Sequence, residues 1–365
     1  MTASGNAELI AQLRETIRAR GPIPFAEFME AALYHPAHGY YSSGRARLGR
    51  GGDYFTNVSV GPLFGRMLAA QFREMRERLD RPNEFKIVEQ GAHGGDFARD
   101  VLERLPAQRY LIVEPSPILR ARQAETLRAF DGQVEWCATL DELPPFSGVH
   151  FSNELIDSMP VHLVKWNGRD WLARHVDATE RGFELVDRPI VDPRTAARVR
   201  QIPLPSPVGY ETEINLAAND WIEALAPKLM QGFVVIVDYG FAREEFYAPH
   251  RSRGTLQSYA SHTVLASPFA RIGEADLSAH VEWTSLIEAA ECAGLTSAGF
   301  ADQHHFLTGL LSDDLARELA RDPKTARQLQ TLLQPGFLGM KFQFLILAKN
   351  IAAPASLRGL RFARG

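Results

Sequence analysis

The chain has 365 residues, of which 45% are hydrophobic and 23% charged, with a formal net charge of -4. That balance suits a globular protein burying a sizeable core in one large domain or two ordinary ones, and it lacks the basic surplus of a non-specific nucleic-acid binder. Cys137 and Cys292 give neither a disulfide framework nor zinc spacing, no apolar run approaches the ~18 residues of a membrane span, and the first residues hold no apolar signal core, so the cytoplasm is the expected compartment.

Leu9, Ile10, Leu13 and Ile17 recur at helical spacing and predict an amphipathic helix over 8–20. "GPIPF" punctuates it, and "FAEFMEAALYHP" predicts a second helix stopped near Pro36. The glycine- and arginine-rich "GYYSSGRARLGRGGD" (39–53) reads as a loop, and "VGPLFGRMLAAQFREMRERL" as a third helix. The pattern then changes. "FKIVEQ" (85–90), "RYLIVEP" (109–115), "QVEWCAT" (133–139), "GVHFSNE" (148–154) and "GFVVIVDYG" (232–240) are short apolar runs, and helical patterns at 96–105 and 117–129 separate the first three. Continuous apolar strands alternating with helices imply a doubly wound α/β fold with a parallel sheet. "HLVKWNGRDWLARHVDA" predicts a hairpin with Asn-Gly at its turn. "IPLPSPVGYETEIN" reads as a proline-rich loop ending at a helix start, and 241–283 as an insertion rich in Gly, Ser, His and Arg. "TSLIEAAECAGL" predicts a helix with a glycine stop, and "FQFLILAKN" a closing strand. The resulting division is 1–82 helical region and loop, 83–160 first part of the core, 161–231 insertion and linking helix, 232–350 remainder of the core with its insertion 241–283, and 351–365 tail.

In an open parallel sheet, ligands bind outside the carboxyl ends of the strands. The non-routine residues of this chain fall there. Glu89, Gly91, His93 and Gly95 follow the first strand in "EQGAHGG". Glycines after a buried strand permit either a bare strand-to-helix turn or a close backbone approach to a ligand. Glu114 ends the next strand, 25 residues after Glu89, where a carboxylate can accept both hydroxyls of a ribose. The pair marks a nucleoside ligand without separating NAD from S-adenosylmethionine. Asn153, Glu154 and Asp157 follow the fourth strand in "FSNELIDSMPVH". Asp157 fits a helix-capping role, whereas an Asn-Glu pair closing an apolar strand needs partners if buried. Asp276 and His280 fit a shared helical face or a loop with a structural hydrogen bond, and both readings stay open. No histidine, cysteine or carboxylate spacing points to a metal, and GxSxG, GxxxxGK[ST] and HExxH are absent from the sequence.

Taken together, these stretches resemble one family, the MidA-like methyltransferases, which include a mitochondrial complex I assembly factor that methylates an arginine. "GPIPFAEFMEAALYHPAHGYY", "GGDYFT", "PLFGRMLA", "EQGAHGGDF", "SNELIDSMPVH", "DYG", "RGTLQSYASH", "GEADLSAHVEWT" and "QHHFL" follow in the family's order, almost end to end. The resemblance implies a Rossmann-like class I methyltransferase sheet with a helical N-terminal region and inserted segments, using S-adenosylmethionine. It carries cofactor binding over to Glu89, Gly91, His93, Gly95 and Glu114, the acceptor-side catalytic set to Asn153, Glu154 and Asp157, and the strand-five position to Asp238. Two positions depart from the pattern. His93 stands where the cradle has its second glycine, and Ser59, in "TNVS", stands where an acid is expected, which removes a carboxylate that could grip a guanidinium. The implied partner is a methyl-acceptor protein or a small molecule, with neither nucleic acid nor a membrane, and a homodimer is allowed. Rival readings are a small-molecule O- or N-methyltransferase, a non-catalytic assembly or binding protein that kept the fold, and an NAD oxidoreductase.

Overall fold

Five of the apolar runs form the parallel part of one sheet. In spatial order its main strands are Val134–Cys137, Arg109–Val113, Phe85–Gln90, Phe146–Asn153, Leu229–Phe241, Phe342–Lys349 and Thr296–Asp302, with the short Val281–Glu282 also on the end of Leu229–Phe241. The first five pair in parallel. Phe342–Lys349 runs antiparallel to both of its neighbours, so the expected parallel sheet closes with an antiparallel pair. Apolar runs become strands here because both faces are covered: Ile87, Val88, Val149, Phe151 and Val234 to Val237 are all fully buried. Helix Asp96–Arg104 lays Phe97 on Phe151, ring centroids 4.1 Å apart, and Phe72 of helix Leu63–Arg76 meets Phe151 edge-on at 5.8 Å. Gly65 allows those two helices to approach closely, since a Cβ there would stand 2.7 Å from the Asp100 Cβ.

The chain starts the sheet at Phe85–Gln90, steps outward to Val134–Cys137, then returns to place Phe146–Asn153 on the other side of the first strand. The direction of winding reverses between those two central strands. Their carboxyl ends therefore flank the crevice where open α/β sheets bind ligands.

This computed structural model describes residues 3–44, 56–203, 207–260, 263–352 and 357–363. Residues 45–53 of the glycine- and arginine-rich loop lie outside the described residues, as do 1–2, 54–55, 204–206 of the proline-rich loop, 261–262 of the second insertion, and 353–356 and 364–365 of the tail. The chain clusters into two compact units, one of Met1–Tyr54, Ile156–Trp221 and Gly240–Leu286, the other of Phe55–Leu155, Ile222–Tyr239 and Ile287–Gly365. The large sheet, up to Tyr239 of Leu229–Phe241, belongs to the second.

The first unit holds helices Ala7–Arg20 and Phe25–Tyr34 and an antiparallel sheet in the order Ile23–Pro24, Trp171–Ala178, His162–Trp166, Glu211–Ile214, with Phe183–Pro189 also on Trp171–Ala178. The expected hairpin is present: Trp166 pairs with Trp171, and Asn167 closes the turn by accepting from the backbone N–H groups of Arg169 and Asp170. Glu211–Ile214, read above as the end of a loop, is instead a strand on His162–Trp166. Four residues after a proline-rich stretch are too few to display a strand period. In the inserted segment, Gly254 packs against the Glu213 carboxylate, which accepts from Thr255 N at 2.8 Å and Leu256 N at 2.9 Å. A Cβ at Gly254 would fall 2.1 Å from Glu213 Oε1, and its φ of +70° also favours glycine. Asp276 lies on the short strand Asp276–Ser278 and accepts from the Tyr41 hydroxyl at 2.8 Å, so the shared helical face does not form. Among the described residues no helix is long and apolar enough to cross a membrane, and no group of His, Cys, Asp and Glu could hold a metal ion.

Candidate functional site

The loop between strand Phe85–Gln90 and helix Asp96–Arg104 turns through three left-handed residues: Gly91 at φ 81°, His93 at φ 44° and Gly95 at φ 84°. Gly95 caps the helix, and a Cβ there would press within 3.4 Å of Gln123 Cα and Leu127 Cδ1. The backbone at 93 needs the conformation that glycine provides freely. His93 adopts it at a steric cost, although histidine tolerates the left-handed region better than most side chains.

One side chain organises this loop. Gln123 Nε2 donates to the His93 carbonyl at 3.0 Å and to Glu114 Oε2 at 3.1 Å, and Gln123 Oε1 accepts from the Trp136 indole at 3.0 Å. The glycine loop and the acid at the next strand end are thus tied to one buried amide. Ser116 N donates to Glu114 Oε1 at 2.9 Å. Each carboxylate oxygen of Glu114 keeps a lone pair, so it can still accept from a diol. Burial raises its pKa, and the bonds from Ser116 and Gln123 oppose that rise. Glu89 is 4% exposed and accepts from the Tyr110 hydroxyl at 2.7 Å. Burial pushes its pKa up to about 8, against the lowering effect of that hydrogen bond.

At the neighbouring strand end, Asn153 Nδ2 donates to Glu154 Oε1 at 2.8 Å, and Asn57 Nδ2 donates to Asn153 Oδ1 at 3.1 Å. Glu154 has φ 54°, with its N–H on the Val237 carbonyl at 2.9 Å. A bulky non-glycine residue held in that region is a strained position of the kind found at functional sites. Glu89, Gly91, His93, Gly95, Glu114, Asn153 and Glu154 all belong to the second unit. Asp157 belongs to the first, where it is 5% exposed and its carbonyl accepts from Ala279 N at 2.8 Å. Asp238 is buried on its strand and accepts from Tyr239 N at 2.9 Å. The serine in the place of the expected acid serves the turn: Ser59 Oγ donates to the Thr56 carbonyl at 2.8 Å and accepts from Thr56 N at 2.9 Å.

Sequence reasoning missed Tyr110, Gln123 and Asn57. Tyr110 is hidden inside an apolar strand. Gln123 is one polar residue on an amphipathic helix. Asn57 sits in a turn with no period.

His93 gives a direct test of the loop's geometry. Left-handed backbone costs a non-glycine residue about 1–2 kcal/mol, while glycine gives back about 0.4–1 kcal/mol through the unfolded chain. His93→Gly is expected to raise the unfolding free energy by about 0.5–1 kcal/mol, and His93→Val to lower it by about 1–2 kcal/mol. Urea titrations of the three proteins measure both. A loss of stability in His93→Gly would show that the ring contributes more than the backbone strain removes.

A family model described as S-adenosyl-L-methionine-dependent methyltransferase matches residues 67–301. The mitochondrial protein arginine methyltransferase NDUFAF7 homolog of Drosophila melanogaster is 27% identical, the alignment covering 96% of this chain and 87% of that protein. The human mitochondrial protein arginine methyltransferase NDUFAF7 is 25% identical, covering 98% and 86%. A crystal structure of a Burkholderia thailandensis protein described as a methyl transferase, bound to S-adenosyl-homocysteine, is 33% identical with a TM-score of 0.89, covering 98% of this chain and 96% of that one.

Proposed function

The chain belongs to the MidA-like S-adenosylmethionine-dependent methyltransferases, and from that membership we propose that it methylates a nitrogen of a protein side chain. Arginine is the proposed residue, since relatives over nearly the whole length are named as protein arginine methyltransferases. The observation that carries the reading is the tie through Gln123, which fixes the glycine loop and Glu114 as one cradle beside the Asn153–Glu154 pair. S-adenosylmethionine, when bound, supplies an electrophilic methyl group.

In this reading Glu114 accepts the ribose hydroxyls, and the 91–95 backbone faces the amino-acid end of the ligand. Glu89 offers a buried carboxyl behind the loop. Glu154 binds the acceptor nitrogen and takes up its proton, and Asn153 holds the Glu154 carboxylate in place. Asp157, a residue of the first unit, is given no part in this cradle and is tested separately. A free guanidinium has a pKa above 12, so alignment by a carboxylate is needed before its nitrogen can act as a nucleophile.

The test is a binding titration. The wild-type protein should bind S-adenosylmethionine in calorimetry and should not bind NAD. Glu114→Gln should weaken that binding by about 1–3 kcal/mol, or roughly five- to 150-fold, because a charged acceptor of two hydroxyls becomes a mixed donor and acceptor. Unchanged affinity in Glu114→Gln would remove Glu114 from the cradle.

A further inference from the structure

The turn at 56–60 carries a buried amide that the donor cradle does not use. Asn57 is fully buried, and its Nδ2 donates to Asn153 Oδ1. The direction of this relay follows from its far end. An ionised carboxylate only accepts, so Asn153 must present its NH2 to Glu154 and its carbonyl to Asn57, and Asn57 must then donate. The flip of either amide would set two acceptors or two donors against each other. Asn57 Oδ1 is left as a buried acceptor with no hydrogen-bond partner among the described residues. Such acceptors are almost always satisfied in folded proteins, and an unsatisfied one beside a partly buried carboxylate calls for an outside donor. Residue 59 does not answer that need, because the Ser59 hydroxyl is engaged with Thr56.

Resting on the methyl-transfer reading above, we propose that Asn57 Oδ1 is a specificity-determining acceptor for an N–H of the methyl acceptor, so that the methylated atom is a nitrogen carrying two hydrogens. The chemistry separates nitrogen from oxygen acceptors. A carboxylate oxygen has no hydrogen to offer. An alcohol or phenol has a single hydrogen, and once the Glu154 carboxylate takes it the oxygen has none left for Asn57. A planar NH2 group can direct one hydrogen to the Glu154 carboxylate and keep the other on Asn57. Guanidinium and primary amide groups share that geometry. An amide carbonyl at this place, without a second carboxylate, serves the neutral group as well as the charged one.

The experiment measures thermal stabilisation of the full chain loaded with S-adenosyl-homocysteine. The probes, at millimolar concentration, are N-acetylarginine methylamide, N-acetylglutamine methylamide and N-acetylaspartate methylamide. The wild type should be stabilised by the arginine or the glutamine probe and not by the aspartate probe, and the stronger of the first two identifies the group. Asn57→Ala should lose that stabilisation while its S-adenosyl-homocysteine affinity, measured by calorimetry, stays within about twofold of wild type. If Asn57→Ala does not fold, Asn57→Ser replaces it, since its hydroxyl can donate to Asn153 but offers no carbonyl. Stabilisation by the aspartate probe, no response to either nitrogen probe in protein that binds S-adenosyl-homocysteine, or an undiminished response in the variant would each overturn the proposal. Failure of the wild type to bind S-adenosyl-homocysteine would instead overturn the methyl-transfer reading beneath it.

Discussion

Replacing Glu154 by Gln should slow methyl transfer by about 10²–10⁴-fold, the range expected when a positioned acid–base group is removed, while donor affinity stays near the wild-type value. The substitution keeps the side chain's length and one carbonyl oxygen, so the hydrogen bond from Asn153 Nδ2 survives and the strained backbone at φ 54° is unchanged. What disappears is the negative charge that would orient the acceptor and receive its proton. The measurement is transfer of labelled methyl groups to an extract or to an arginine-containing peptide, beside calorimetry with S-adenosyl-homocysteine. Lost transfer with intact donor binding places Glu154 on the acceptor side. Equal loss of both would make Glu154 a support of the sheet end, held there by its backbone bond to Val237. Asp157→Asn is the companion variant. Buried in the first unit with its carbonyl bonded to Ala279 N, Asp157 has a structural tie that its side chain can outlive, so only separable loss of transfer would keep it in the catalytic set.

The five parallel strands and Phe342–Lys349 were legible as apolar runs, a local signal left by burial in the sheet, whereas the partly exposed Thr296–Asp302 went unread. Glu89 and Glu114 were picked out for the same reason: they end such runs and stand out against them. What ties Glu114 to the glycine loop was not. Gln123 acts through its reach to the His93 carbonyl and to Glu114, and the contact spans 30 and 9 residues of sequence, respectively. His93 was visible as a departure from a glycine pattern, but only the φ of 44° gives the departure a physical content. Ser59 was visible as a missing acid, and Asn57, two residues before it, was overlooked because an asparagine in a turn is ordinary. The strand Glu211–Ile214 went unread because its pairing partner, not its four residues, makes it a strand. The interleaving of the two units, each drawing on three separated stretches, has no local signature at all.

Glu89 is expected to give the fold a pH dependence of its own. Its folded pKa, near 8, lies above the ordinary value of 4.5, because burial disfavours the charge more than the Tyr110 hydroxyl relieves it. For an acid with a raised folded pKa, the native state binds more protons than the unfolded chain, so the unfolding free energy falls as pH rises. The stability is fully present below about pH 4.5, declines through the window up to about 8, and stops declining once the folded carboxyl ionises as well. Over that window the single group is worth on the order of 5 kcal/mol. Glu89→Gln keeps an amide oxygen for the Tyr110 hydroxyl and cannot ionise, so its stability at pH 8 should exceed that of the wild type by up to this amount, with near equality at pH 4.5. Asp100, Glu114, Glu213 and Glu282 are also raised by burial and tilt the curve the same way, so the variant should flatten the slope without abolishing it. Urea unfolding at a series of pH values reads the difference directly. Parallel curves for the two proteins would mean that Glu89 is already ionised in the native state at neutral pH. A negative charge would then sit behind the glycine loop, where it could attract the cationic end of the donor without first releasing a proton.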